Sequence, residues 1–252
     1  MLTLHALTTG YRHTIISQHL NATLPQGTLT ALLGTNGAGK STLLRTMARF
    51  QPPLAGSISW QGTDTAQLSA RQLARTMSVV LTFKPEAEAL TAAEVVEMGR
   101  IPYTTMLSAT SEADRQAVEQ AMQLTRTTPF AHRPISTLSD GERQRVFIAK
   151  ALAQNTPVIL LDEPTAFLDF PAKIATMRLL KKLAHDAQKT ILLSTHDVEL
   201  ALHMADNLWL LNQQTLTSGS PQLLAANGCI GRFFNTEGVQ FDAATMRFDM
   251  RD

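Results

Sequence analysis

One cysteine, Cys229, occurs in 252 residues, so an intramolecular disulfide is excluded and a reducing compartment is the simpler expectation. On its own, Cys229 reads as a small buried hydrophobe. An excess of either charge is also lacking. With 22 basic and 21 acidic residues and a formal net charge of +1, the chain has no overall field with which to grip nucleic acid. No apolar run approaches the ~20 residues needed to cross a bilayer, and the first residues have neither the basic start nor the long apolar segment of a secretory leader. The expectation is a cytoplasmic protein that meets a membrane only through a partner. Internal repeats and low-complexity linkers are missing too, and the length suits one α/β domain carrying an insertion better than two equal domains.

What is present is dominated by TLTALLGTNGAGKST, residues 28–42, which matches the P-loop pattern GxxxxGKS at Gly34, Gly39, Lys40 and Ser41. A polyphosphate is bound by many backbone N–H groups converging on it. Side chains larger than hydrogen would hold the chain away, a need that Gly34, Gly37 and Gly39 meet. Lys40 then places a charge on the β- and γ-phosphates, Ser41 offers its hydroxyl to Mg2+, Thr42 supports the α-phosphate, and the following helix aims its positive end at the same group. Leu29–Leu33 reads as a strand and Ser41–Phe50 as a helix, the context this motif demands. A plain strand–turn–helix corner with a surface lysine is the competing reading.

Residues 2–7 and 14–24 read as strands of an N-terminal antiparallel sheet, separated by a turn holding Gly10, Tyr11 and Arg12, with Tyr11 exposed. A ring in that place either stacks on a purine or simply packs. The P-loop helix must stop at Pro52-Pro53, because proline lacks the N–H and disfavours helix in the residue before it. Residues 56–62 then read as a hairpin arm, 69–76 as a short helix and Met77–Leu81 as a strand that Lys84-Pro85 breaks. From about 85 to 154 the text is helical, as in Ala92–Gly99 and in 111–124, where Ser111 and Asp114 resemble a helix start. The α/β pattern returns with VILLDEP, residues 158–164, a helix from Pro171, and TILLSTH, residues 190–196. Ile174, Met177, Leu180, Leu183 and Ala184 share one face of that helix, and strand–helix–strand of this kind implies a parallel sheet. A helix near 198–205, a hairpin around 208–219, a short helix after Pro221 and period-two hints at 239–250 complete the chain.

Asp162 and Glu163 close a buried strand at the end where open α/β sheets place their ligands. An aspartate there suits Mg2+, and the adjacent glutamate can orient or deprotonate the water attacking a γ-phosphate, which points to hydrolysis rather than binding alone. Acids that merely cap the next turn are the alternative. Between the P-loop and these acids, LSDGERQR (138–145) sets Ser139 and Glu142 at the spacing of a helix capping box. His196 follows its strand directly, a place where a histidine is also often bonded only to neighbouring backbone.

The succession P-loop, LSDGE, VILLDEP, AFLD, STHD resembles the ATP-binding subunits of ABC transporters along nearly the whole chain. The fold so implied is α/β: a P-loop NTPase core with an N-terminal antiparallel β-subdomain and a helical subdomain inserted at about 85–154, all within one domain of 1–252. ATP and Mg2+ are the implied ligands. The implied nucleotide-binding residues are Gly34, Asn36, Gly37, Ala38, Gly39, Lys40, Ser41 and Thr42, with Tyr11 stacking on adenine and Ser41 and Asp162 at the metal. Glu163 and His196 are the implied catalytic pair, His196 contacting the γ-phosphate and the attacking water. The resemblance further implies a head-to-tail homodimer in which Ser139 and Gly141 of one copy close on the nucleotide held by Lys40 of the other, while Asp169 links the two sites. Implied partners are integral membrane permease subunits at the cytoplasmic face of the inner membrane and, indirectly, a periplasmic or lipid-anchored substrate-binding protein. Nucleic acid is not among them.

Two departures stand out. Asp140 and Glu142 replace the glycine and glutamine commonest in the family's signature, so Asp140 is expected to point away from phosphate. Thr82 stands where the family has a metal-reaching glutamine; its shorter hydroxyl could serve Mg2+ only through a water or a backbone shift, and coordination through a water is the expectation. Residues 98–106, MGRIPYTTM, resemble a segment of importers of iron(III)-siderophores, haem and vitamin B12, which favours an importer of a metal chelate, although punctuation by Gly99 and Pro102 also accounts for them. The rival readings are a soluble ABC-type ATPase acting on nucleic acid or ribosomes and a nucleotide-gated module without efficient hydrolysis.

Overall fold

The structure is a computed structural model and describes residues 1–12, 14–81, 89–104, 111–212, 215–234 and 239–250. In chain order the elements are β1 (Leu2–Tyr11), β2 (Thr14–Leu24), β3 (Leu29–Leu33), α1 (Lys40–Met47), β4 (Ala55–Trp60), β5 (Thr63–Asp64), α2 (Ala70–Thr76) and β6 (Met77–Val80). Helices α3 (Ala92–Glu97), α4 (Glu112–Leu124) and α5 (Asp140–Ala153) follow. The chain then returns through β7 (Val158–Asp162), α6 (Phe170–Asp186), β8 (Thr190–Ser194), α7 (Val198–Met204), β9 (Asn207–Leu211) and β10 (Leu216–Gly219). It closes with α8 (Pro221–Ala226), α9 (Cys229–Phe234), β11 (Val239–Asp242) and β12 (Arg247–Met250).

The central sheet has the order β10-β9-β3-β8-β7-β6, parallel throughout except for the edge strand β10. Because successive side chains leave a strand on opposite faces, its apolar strands feed two cores. Ala31, Leu33, Ile159, Leu161, Ile191 and Leu193 pack with Met177, Leu180 and Ala184 of α6 on one side. Leu32, Val158, Leu160 and Leu192 pack on the other with Leu43, Leu44 and Met47 of α1 and the leucines of the β2-β1-β4-β5 antiparallel sheet. Helices α3, α4 and α5 enclose a separate core built on Val95, Val118, Met122, Phe130, Ile135 and Val146. Side chains tie this helical layer to the rest. Gln154 Nε2 donates to the carbonyls of Ala74 and Met77 at 2.6 and 3.1 Å, and Arg71 and Arg75 both donate to the Pro102 carbonyl, at 2.9 and 3.0 Å.

Several boundaries differ from expectation. Gly10 and Tyr11 belong to β1, with Tyr11 opposite Thr14, because the strand pairing outlasts the apolar pattern. Helix α1 starts at Lys40 and ends at Met47, three residues short of Phe50, since Arg49 takes a left-handed φ of 58°. Helix α6 begins one residue before Pro171, on Asp169 as its cap. Helix α9 was not anticipated; with the β11-β12 hairpin it forms a cluster of Phe233, Phe234, Phe241 and Phe248 against the core. Cys229 is half-buried rather than buried, with an Arg232 nitrogen 3.5 Å from Sγ. Thr82 and residues 105–106 lie outside the described residues.

Candidate active site

Strand register assembles the site. Leu32 pairs with Ser194 and Ser194 with Asp162, so the chains leave β3, β8 and β7 side by side at their carboxyl ends. That edge therefore gathers the P-loop, His196 and Glu163, as open α/β sheets do with their ligand sites.

From β3 the chain turns through Thr35, Asn36 and Gly37, all exposed, and enters α1 at Gly39. No side chain caps this end of α1, which leaves its first backbone N–H groups to an anion. The three glycines serve different ends. At Gly34 a Cβ would stand 2.6 Å from the Leu211 carbonyl oxygen, and at Gly39, with φ of +98°, 2.5 Å from Ile16 Cγ2. Gly37 has φ of +79° and open space around it, so it alone matches the expectation of a bare approach for phosphate. Lys40 is buried, and its Nζ donates to the carbonyls of Gly34 and Thr35 at 2.8 and 3.2 Å. Burial pushes its ammonium below the usual lysine range; the negative charges of Glu163 and Asp162 counter part of that. Ser41 is exposed, whereas Thr42 is buried and its hydroxyl donates to the Tyr11 oxygen at 3.3 Å. The exposed Tyr11 ring thus stands over the start of α1.

Asp162 is buried, and Oδ1 accepts from Ser194 Oγ at 2.6 Å. The same hydroxyl oxygen accepts from the Glu163 N–H at 3.0 Å. One hydroxyl so fixes both acids, and sequence reasoning passed it over; its signal was a serine closing an otherwise apolar strand. Glu163 takes φ of +51°, a left-handed conformation that costs about 1–3 kcal/mol in a non-glycine residue. The turn carries its carboxylate to His196, where Nε2 lies 2.6 Å from Oε1. Glutamate and imidazole therefore hold each other at the sheet edge beside Lys40.

Ser139, Gly141 and Asp169 lie elsewhere. Ser139 caps α5 in a full capping box with Glu142, and Ser139's backbone N–H holds the Glu142 carboxyl below its usual range. At Gly141 a Cβ would stand 3.3 Å from Leu168 Cδ2 and 3.4 Å from the Phe167 carbonyl oxygen; Asp169 accepts from the Ala172 N–H at 2.9 Å. Asp140 is 3.5 Å from Arg143, which balances its charge.

Among the described residues no group of three or more His, Cys, Asp or Glu could hold a metal. The hard oxygens of Asp162 and Ser41 nevertheless suit Mg2+, which commonly takes one or two protein oxygens and completes its shell from phosphate and water.

A family model described as ABC transporter matches residues 17–166. The achromobactin transport ATP-binding protein of Dickeya dadantii strain 3937 is 38% identical over 237 residues, which cover 94% of this chain and 88% of that protein. A solved metal-chelate type ABC transporter in an inward-facing conformation superposes with TM-score 0.77 at 30% identity, over 88% of this chain and 84% of that one. A dimeric ATP-binding cassette in a post-hydrolysis state, bound to ADP and phosphate, gives TM-score 0.77 at 27% identity over 88% and 99%.

Proposed function

The chain belongs to the ABC transporter family, whose ATP-hydrolysing subunits it matches over most of its length, and we propose that it powers uptake of a metal chelate through a separate membrane permease. The family relationship makes it an ABC transporter ATPase subunit, and its similarity to ATP-binding proteins of import systems supports the uptake direction. The chelate class follows the achromobactin relative and the metal-chelate structure.

At the site, the open N-terminus of α1 and the backbone of residues 34–39 bind the triphosphate, with Thr42 at the α-phosphate. Lys40 exchanges its carbonyl partners for the β- and γ-phosphates. Tyr11 stacks on adenine. Ser41 and Asp162 would hold Mg2+, which would neutralise phosphate charge. Glu163 orients the attacking water and draws its proton, while His196 holds that carboxylate and reaches toward the γ-phosphate. Ser139 and Gly141 of a second copy close the site and Asp169 joins the two halves, a reading supported by the dimeric state of a solved relative. Binding drives closure, and hydrolysis with product release resets it.

The observation that carries this reading is the Glu163–His196 pair at 2.6 Å on the sheet edge that also presents Lys40. Its test is Mg2+-dependent ATPase activity of the purified protein. Lys40→Ala is expected to lose nucleotide binding, and Glu163→Gln to keep binding, lose turnover and accumulate as an ATP-bound dimer. Undiminished turnover in Glu163→Gln would remove the assigned base.

A further inference from the structure

Asp197 occupies the N-cap position of α7, where an aspartate ordinarily accepts from the helix's first backbone N–H groups, yet its side chain caps nothing. Its two carboxylate oxygens instead face Lys173 Nζ at 3.1 and 3.0 Å, and Thr165 Oγ1 donates to one of them at 3.5 Å. Three parts of the site meet at this carboxylate. Thr165 lies two residues beyond Glu163. Lys173 closes the first turn of α6 on Asp169, its backbone N–H donating to the Asp169 carbonyl at 2.9 Å. Asp197 itself is the chain neighbour of His196, and its own N–H donates to Thr195 Oγ1 at 3.0 Å. The pair is partly shielded, in a cleft of about 440 Å3 that Leu168, Phe170 and Leu200 also line.

An ion pair still partly open to solvent contributes little to stability, and a cap contributes as much or more, so a helix that forgoes its cap for such a pair gains little in stability. What the exchange does hold is Asp197, the chain neighbour of His196, with the Asp197 N–H also donating to Thr195. We propose that Lys173 and Asp197 are positioning residues for His196, through which the turn holding Asp169 controls the Glu163–His196 contact. The proposal rests on the roles of Glu163 and His196 given above. Without the pair, residue 197 is released to cap α7, the turn follows, and the imidazole leaves Glu163.

The variants Lys173→Met, Asp197→Asn, their double and Lys173→Arg test this in the full-length protein, with kcat, KM for ATP and melting temperature measured beside Glu163→Gln. The two single variants are expected to lower kcat roughly 10-fold with KM little changed, the double to be no worse than either, and Lys173→Arg to recover most of the rate. Asparagine is a good cap, so Asp197→Asn should melt no lower than wild type. A purely structural pair would lower melting temperature and ATP binding together with kcat, and that outcome would overturn the proposal. So would unchanged kcat in both single variants while Glu163→Gln is inactive, a result that leaves the site itself intact. Turnover surviving in Glu163→Gln would remove the site assignment and the proposal with it.

Discussion

Burial pushes the Lys40 ammonium down from the usual lysine range, and Glu163 and Asp162 offset only part of that. A lysine whose folded-state pKa is depressed opposes folding wherever it is charged, which includes neutral pH. Lys40 is thus held for its ligand at some expense to the fold. Lys40→Met should melt, without nucleotide, no lower than wild type, while the rise that ATP and Mg2+ give the wild type should vanish. A fall of more than about 4 °C, on the order of 1 kcal/mol or more, would show that the charge supports the fold. The role of Lys40 was legible in GxxxxGKS because its spacing carries the chemistry. Ser194 was not, since a serine ending a buried strand gives no sign of which neighbouring strand its hydroxyl will meet; that depends on the β7-β8 register.

Strand β3, the loop and α1 work as one element, and its glycines differ in what they tolerate. Gly39→Ala would force a methyl against Ile16, a stiff β-branched side chain, at a φ no alanine adopts, and should cost about 2–4 kcal/mol before any ligand is added. Gly37→Ala meets nothing and should cost only about 1–2 kcal/mol, so urea midpoints of the two variants should separate. Equal midpoints would contradict the packing argument. Helix α4 carries a second element-scale prediction. Asp114 completes the capping box with Ser111 and pairs with Arg100 at 2.8 Å, and the Ser111 hydroxyl and then Arg100 hold its carboxyl below the usual range. A depressed carboxyl contributes stability that is present above its unfolded pKa of about 3.9 and is lost as pH falls through the lower folded value. Asp114→Asn should therefore unfold at lower urea than wild type near neutral pH, by about 1.5–3 kcal/mol, and the gap should narrow below about pH 4. A gap independent of pH would discount the charge. The Ser111 start was readable because a capping box is local. The stop at Met47 and the whole of α9 were not, because tertiary packing sets them; Phe233 and Phe234 become part of a helix by meeting Phe241 and Phe248.

At the scale of the whole molecule, the parallel sheet and the helical layer were both foreseeable from apolar runs of five residues set among helical text, and the order β9-β3-β8-β7 explains why residues from three distant motifs share an edge. The helix start at Ser139 was legible in its capping-box spacing, whereas its proposed role at a nucleotide comes only through the family. In one copy it caps α5 and belongs to no part of the edge that holds Lys40, so its assigned partner is a second copy. Mixing a Lys40→Ala preparation with a Ser139→Arg preparation, each inactive alone, should restore turnover, because only the mixed dimer contains one unaltered composite site. No recovery despite proven exchange of subunits would contradict the head-to-tail arrangement. The central claim, that hydrolysis here drives chelate uptake, is met most directly by assembling the protein with a metal-chelate permease in vesicles and measuring ferric-siderophore uptake. The account predicts uptake that requires ATP and Mg2+ and is abolished by Glu163→Gln. Robust ATPase activity indifferent to the permease, but raised by nucleic acid or ribosomes, would contradict it.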